Sequence, residues 1–317
     1  MHYFVTGGAG FIGSNLVNRL LAMGHQVTVY DNLSTGFMDF LVEAQKSISF
    51  RFIEGELLDM EALETAMTGC DFVFHMAANA DIRFGLQHPR KDLEQNTIAT
   101  FNVLEAMRLN DIKKIAFPST GPVYGEPDIF PTPENAPFPI QTSLYGASKL
   151  ACEGLIQAYC EGFGFQGWIF RFVSILGSRY THGHVFDFYK KLLANPNELP
   201  VLGDGTQRKS YLHVEDCIDA ILLAIANAQE KVNIFNLGVD NYCEINDSIR
   251  WITEHMEVKP ALTYAGGKRG WIGDSPLVFL DCTRMKKLGW QPKYSIEESI
   301  IDTVRFLEKN HWVLTRQ

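Results

Sequence analysis

An apolar run, His2–Val5, leads straight into Thr6-Gly7-Gly8-Ala9-Gly10-Phe11-Ile12-Gly13, and this stretch constrains the fold most. Leu16, Leu20 and Leu21 predict an amphipathic helix behind the glycines, ended by Gly24. Gln26–Asp31 reads as a second strand closing on an acid. Strand, glycine turn, helix, strand and acid form a βαβ unit suited to a dinucleotide. Glycines let the backbone turn tightly and approach a pyrophosphate. The helix N-terminus offers N–H groups and the positive end of a dipole. Asp31 can accept both ribose hydroxyls and would repel a 2′-phosphate, and Asn32-Leu33-Ser34 bring no arginine for one. NAD is expected over NADP.

The alternation continues. Ile48–Ile53 reads as a strand, followed by Glu54-Gly55-Glu56-Leu57, where an acid could reach the adenine amino group or simply sit in a solvated loop. Asp71–Ala78 reads as a buried strand ending in Ala77 and Ala78, small enough for a cofactor to lie close. A helix holding Asn96, Phe101, Val103 and Leu104 precedes the strand Lys114–Thr120, which exits in hydroxyls. A proline-rich loop runs through Pro139, and Thr142 or Ser143 can cap the next helix, which ends near Gly162 and Gly164. Trp168–Phe172 adds a strand, Val214–Ala220 opens a helix, and Asn233–Gly238 is expected to rejoin the sheet. The expected fold is α/β: a Rossmann-type doubly wound parallel sheet with a smaller mixed α/β lobe. The division expected is a Rossmann domain over 1–172, rejoined by about 212–238, and a substrate lobe from 173–211 and 239–317.

Composition narrows the class. No apolar run nears the ~20 residues that cross a bilayer, and neither a basic start nor a small-residue cleavage site precedes the first strand. The six cysteines are scattered without a CxxC pair, so buried thiols in a cytoplasmic protein are expected. A formal net charge of −9 argues against nucleic acid as partner. His182 and His184 lack a third ligand nearby, so no metal is expected.

Tyr145 and Lys149 stand one helical turn apart with small residues between. A phenol ordinarily titrates near ~10, and must come down by roughly 3 units to act as a base at neutral pH. An ammonium about 4 Å away could supply that shift, so Lys149 is expected to lower Tyr145.

These residues, with YDNLSTG at Tyr30–Gly36, HMAA at His75–Ala78, NTIAT at Asn96–Thr100, STGPVYG at Ser119–Gly125, YGASK at Tyr145–Lys149 and RKSYLHVED at Arg208–Asp216, resemble the extended short-chain dehydrogenase/reductase family. Within it the resemblance is to the nucleotide-sugar epimerases and dehydratases, closest to UDP-sugar 4-epimerases of the UDP-glucose/UDP-galactose type. It covers nearly the whole chain. It implies bound NAD held by Gly7, Gly10, Phe11, Ile12, Gly13, Asp31, Asn32, Glu56, Leu57, Ala77, Ala78 and Asn96, with Tyr145 and Lys149 reaching its nicotinamide end. It implies catalysis by Thr120, Tyr145 and Lys149 through a transient 4-keto sugar, with Ser174, Arg208, Lys209 and Arg269 facing the nucleotide sugar and Lys268 a further candidate. A homodimer through helices near 92–109 and 143–160 is the expected assembly.

The departures are informative. Family dehydratases carry Asp-Glu after the catalytic threonine, and related decarboxylases keep a glutamate two before Tyr-Gly; here Gly121-Pro122 stands there. Ser174 replaces an asparagine, Lys209 an arginine, and Trp271-Ile272 precedes Gly273-Asp274 where an arginine is usual. Other readings are an epimerase at another carbon, a net reductase or dehydratase, and a non-catalytic NAD-binding sensor.

Overall fold

The structure, a computed structural model, describes residues 1–79, 87–138, 140–271 and 274–315. Pro139, Ile272 and Gly273, used above, lie outside the described residues.

The chain divides into two compact units. The first gathers Met1–Val123, Ser143–Arg171 and Ile221–Phe235. Its strands are β1 (His2–Thr6), β2 (Gln26–Asp31), β3 (Phe50–Glu54), β4 (Phe72–His75), β5 (Lys114–Thr120) and β6 (Gln166–Phe172), with a last strand at Val232–Leu237. The sheet order is Val232–Leu237, β6, β5, β4, β1, β2, β3. The pairs β3–β2, β2–β1, β1–β4 and β4–β5 are parallel, as the doubly wound reading expects. Helices cover both faces of such a sheet, which is why its strands are apolar almost throughout: Phe4, Val5, Val27, Val29, Val73, Ile115, Ala116 and Ile169 have no exposed surface.

Order within the sheet places side chains at its carboxyl edge. Thr6, His75 and Thr120 end β1, β4 and β5, and Asp31 ends β2. The helix Phe11–Ala22 follows β1, and Gly24 takes a positive φ just beyond it. Met60–Met67 and Ala99–Leu109 flank the sheet. The latter continues Pro89–Asp92 through a π-helical turn, Leu93–Ile98. Leu144–Phe163 is capped by Ser143 Oγ, which accepts from Gly146 N at 3.0 Å, and ends at left-handed Gly164. These helices pack Val103, Leu104, Met107, Cys152 and Ile156 into the core beneath the sheet.

The second unit gathers Tyr124–Thr142, Phe172–Ala220 and Asn236–Gln317. Tyr211–His213 pairs in parallel with Ser174–Leu176, and Arg208–Lys209 lies between Cys243–Glu244 and Leu277–Val278. His184–Ala194, Ile245–His255 and Ile296–Lys309 pack around them. No helix among the described residues is long and apolar enough to cross a membrane.

Candidate active site

Thr120 and Tyr145 meet through a hydrogen bond between their side chains. Thr120 is the last residue of β5 and Tyr145 the second of Leu144–Phe163, so strand exit and helix entry bring them together. Lys149 is 2% exposed, with Nζ 4.0 Å from the centre of the Phe117 ring on β5. That contact returns part of what burial takes from the ammonium.

The electrostatics correct one expectation. The helical spacing leads one to expect Tyr145 to be lowered by Lys149. Here burial pushes Tyr145 up to about 12; the Thr120 hydrogen bond pulls it down, and Asp92 adds to the rise. Desolvation of a phenolate outweighs the Thr120 hydrogen bond, and burial is a property that spacing does not contain. Burial also lowers Lys149 to about 8, against the upward pull of Cys152 and Glu153.

The glycine turn is built as the sequence requires. Gly7 has φ +65°, and a side-chain carbon there would lie 2.6 Å from the Ala77 backbone. At Gly13 it would lie 2.2 Å from the Gly7 carbonyl oxygen. Asp31 braces this turn: Oδ2 accepts from Ala9 N at 2.9 Å and Oδ1 from Leu33 N at 2.8 Å. Asn32 Nδ2 donates to both Glu56 oxygens, at 2.9 and 3.0 Å, so Glu56 is an exposed partner of Asn32. Leu57 is buried in the core, and its carbonyl accepts from Asn102. Asn96, on the π-helical turn, donates to Ser148 Oγ at 2.9 Å and accepts from Asn79 N at 2.8 Å, tying the edge beyond β4 to the Tyr145 helix.

Sequence reasoning passed over His75 as a site residue. It is fully buried, with Nδ1 2.7 Å from Thr6 Oγ1 and Nε2 3.0 Å from Thr100 Oγ1. Thr6 Oγ1 in turn accepts from Ala77 N at 3.2 Å. Burial, with Lys149 near, lowers this imidazole to about 3 and keeps it neutral. A polar residue closing the apolar run of β4 was the available signal.

In the second unit, Ser174 is exposed on its strand. Lys209 Nζ donates to Asp274 Oδ1 at 2.6 Å and to the Ser275 carbonyl, so this cation is already paired. Arg208 lies 3.6 Å from Glu244, and Arg269 pairs with Glu126. Lys268 is exposed and near Asp204. His184 stacks on Tyr211, with ring centres 4.7 Å apart, and sits 3.1 Å from Ser248 Oγ. Among the described residues no cluster suited to a metal occurs.

Residues 3–238 match the NAD dependent epimerase/dehydratase family. The chain belongs to that family. It is 31% identical over 326 residues to the UDP-glucose 4-epimerase of Mycolicibacterium smegmatis, covering 96% of this chain and 98% of that one. A crystal structure of a UDP-galactose 4-epimerase is 34% identical with a TM-score of 0.87, covering 98% of this chain and 100% of that one. The UDP-glucose 4-epimerase of Thermotoga maritima, solved with UDP-glucose, is 31% identical with a TM-score of 0.87, at the same coverage.

The residues present fit the NAD of this family. Gly10 caps Phe11–Ala22 without a side-chain hydrogen bond, and no acid stands in the first helical turn. A side-chain carbon at Gly10 would lie 3.2 Å from the Gly7 carbonyl oxygen, and the free amides of that first turn favour an anion. In this NAD dependent epimerase/dehydratase family member, the Asp31 carboxylate at the end of β2 also stands in place of the cation that a 2′-phosphate would need.

Proposed function

We propose that the chain is a UDP-sugar 4-epimerase of the UDP-glucose/UDP-galactose type. The observation that carries this reading is the Thr120–Tyr145 hydrogen bond beside the buried Lys149. Tyr145 takes the proton of the sugar 4-hydroxyl as that carbon is oxidised. It returns the proton to the same oxygen after the 4-keto sugar has turned its other face. Thr120 hydrogen-bonds the ionised phenol, and the Lys149 ammonium favours the same state. When bound, NAD would supply the oxidant and the reductant for the sugar carbon, and its positive charge would favour the ionised phenol. One group gives up and takes back one proton, so no second acid or base is required. Gly121-Pro122 offers none, which separates this chemistry from loss of water or carbon dioxide.

Gly7, Gly10, Phe11, Ile12 and Gly13 would hold the pyrophosphate, and Asp31 and Asn32 the adenosine ribose. Glu56, Leu57, Ala77, Ala78 and Asn96 would line the rest, with Lys149 on the nicotinamide ribose. Ser174, Arg208, Lys209 and Arg269 would face the nucleotide sugar, and for Lys209 this means leaving Asp274. We place the protein in the cytoplasm as a homodimer. Exposed Leu93, Ile98, Phe101 and Leu109 on one helical stretch, and Leu144 and Phe163 on another, support that pairing. Light scattering at monomer mass would reject it.

The reading is tested with Tyr145→Phe. Turnover should fall by at least ~10²-fold while the purified protein keeps its NAD. Undiminished turnover would reject the assignment. A panel of UDP-, GDP-, CDP- and dTDP-sugars, assayed for epimeric products, should give turnover with UDP-sugars first.

A further inference from the structure

Behind the proposed catalytic groups lies a buried ion pair that the mechanism does not use. Glu153 follows Lys149 by one turn of Leu144–Phe163 and has no exposed surface. Arg171 on β6 donates from Nε to Glu153 Oε1 at 3.0 Å and from Nη2 to Oε2 at 2.7 Å. Ser119, the residue before Thr120 on β5, donates to Glu153 Oε1 at 2.5 Å. One carboxylate thus ties β5, β6 and the Tyr145 helix together next to the residues that do the chemistry. Such pairs are poor stabilisers. Taking both charges from water is costly, and apolar replacements of the same volume are often no worse. Stability alone therefore does not account for the pair.

We propose that Glu153 and Arg171 are positioning residues for the reaction: they set the charge state of Lys149 and fix the β5 exit that carries Thr120. The proposal rests on the roles given above to Thr120, Tyr145 and Lys149.

Among the described residues, the groups that face Lys149 come from three elements. From its own helix come Cys152 and Glu153, from β4 His75, and from β5 the Phe117 ring. His75 is neutral above about pH 3. Burial raises the Cys152 thiol, so its pull on Lys149 acts only where that thiol ionises, and Glu153 supplies the pull at neutral pH. Asp92 faces Tyr145. Glu153 pulls Lys149 toward its ammonium form, and Arg171 pairs with that same carboxylate at 2.7 Å. The two charges oppose each other in their effect on Lys149, so removing one should shift it in the opposite sense from removing the other.

The test is the pH dependence of kcat for the NAD-loaded full chain turning over UDP-galactose. Activity needs the Lys149 ammonium, so its loss sets the alkaline limb. Glu153→Gln leaves the Arg171 cation facing Lys149, and the limb should move to lower pH by about one unit or more. Arg171→Met leaves the carboxylate alone, and the limb should move to higher pH. The double variant, Glu153→Gln with Arg171→Met, should bring it back to within about half a unit of the parent. Each variant carries its own signed expectation, so if one fails to fold the others still decide. Limbs that stay in place, or that move the same way in both single variants, would overturn the proposal. Tyr145→Phe runs in parallel. If it retains turnover, the epimerase reading itself falls; if it is inactive and the limbs do not move, only the positioning role falls.

Discussion

Lys149 holds its ammonium against the Phe117 ring, 4.0 Å from the ring centre, at a site where almost no water reaches it. Strand β5 thus gives the site both a hydroxyl, Thr120, and an aromatic face three residues earlier. The lysine is kept charged at a cost, and that cost can be measured.

The fall of Lys149 from 10.5 to about 8, at ~1.4 kcal/mol per unit, makes its charged form cost about 3 kcal/mol at pH 7. Lys149→Met should therefore raise stability by about 2–3 kcal/mol at pH 7 while abolishing turnover. The sign follows from proton binding. Between about 8 and 10.5 the folded chain binds fewer protons here than the unfolded chain, so this residue's contribution improves as pH rises. The advantage of the variant should shrink by pH 10. Urea melts at the two pH values check this, and a variant less stable at pH 7 would contradict it.

His75 and His184 predict acid sensitivity. Burial lowers both from 6.5 to about 3, so the unfolded chain takes up protons first. Their contribution is complete above pH 6.5 and is lost as pH falls toward 3. In that window each should steepen the loss of stability by up to ~1.4 kcal/mol per pH unit. His75→Asn, which can still bond Thr6, should remove one such slope in denaturant melts taken from pH 7 to 4. An unchanged slope would mean that His75 is charged in the folded protein.

Asp31 should act on the apoprotein as well as on NAD. An asparagine at this site cannot accept from both Ala9 N and Leu33 N, because its amide group would face one of those donors. Asp31→Asn should cost about 1–3 kcal/mol without cofactor, and should also shrink the rise in Tm that added NAD produces. Thermal melts with and without NAD separate the two effects. A full NAD-induced rise would leave Asp31 a brace only.

The parts legible in the sequence are those set by short spacing. Gly7 and Gly13 announce the turn because the backbone approaches at 2.6 and 2.2 Å leave no room for a side chain. The Tyr145–Lys149 spacing places both on one helix, and Ser143 caps it as its position suggests. The direction in which Tyr145 titrates was not legible, because burial is a property of the packed chain. Lys209 reads as a free cation until Asp274 is brought beside it by pairing of Arg208–Lys209 with Leu277–Val278. The π-helical turn under Asn96 leaves no mark in composition, since Leu93–Ile98 suits an ordinary helix equally well.

The sheet's strand order has a consequence for synthesis. Val232–Leu237 borders β6 yet follows it by a long excursion into the second unit. While a ribosome is making that excursion, the outer edge of β6 has backbone donors and acceptors with no neighbour. Such an edge invites pairing with other nascent chains. Slow translation or heat stress should do most harm in that interval, when a chaperone has an edge to shield.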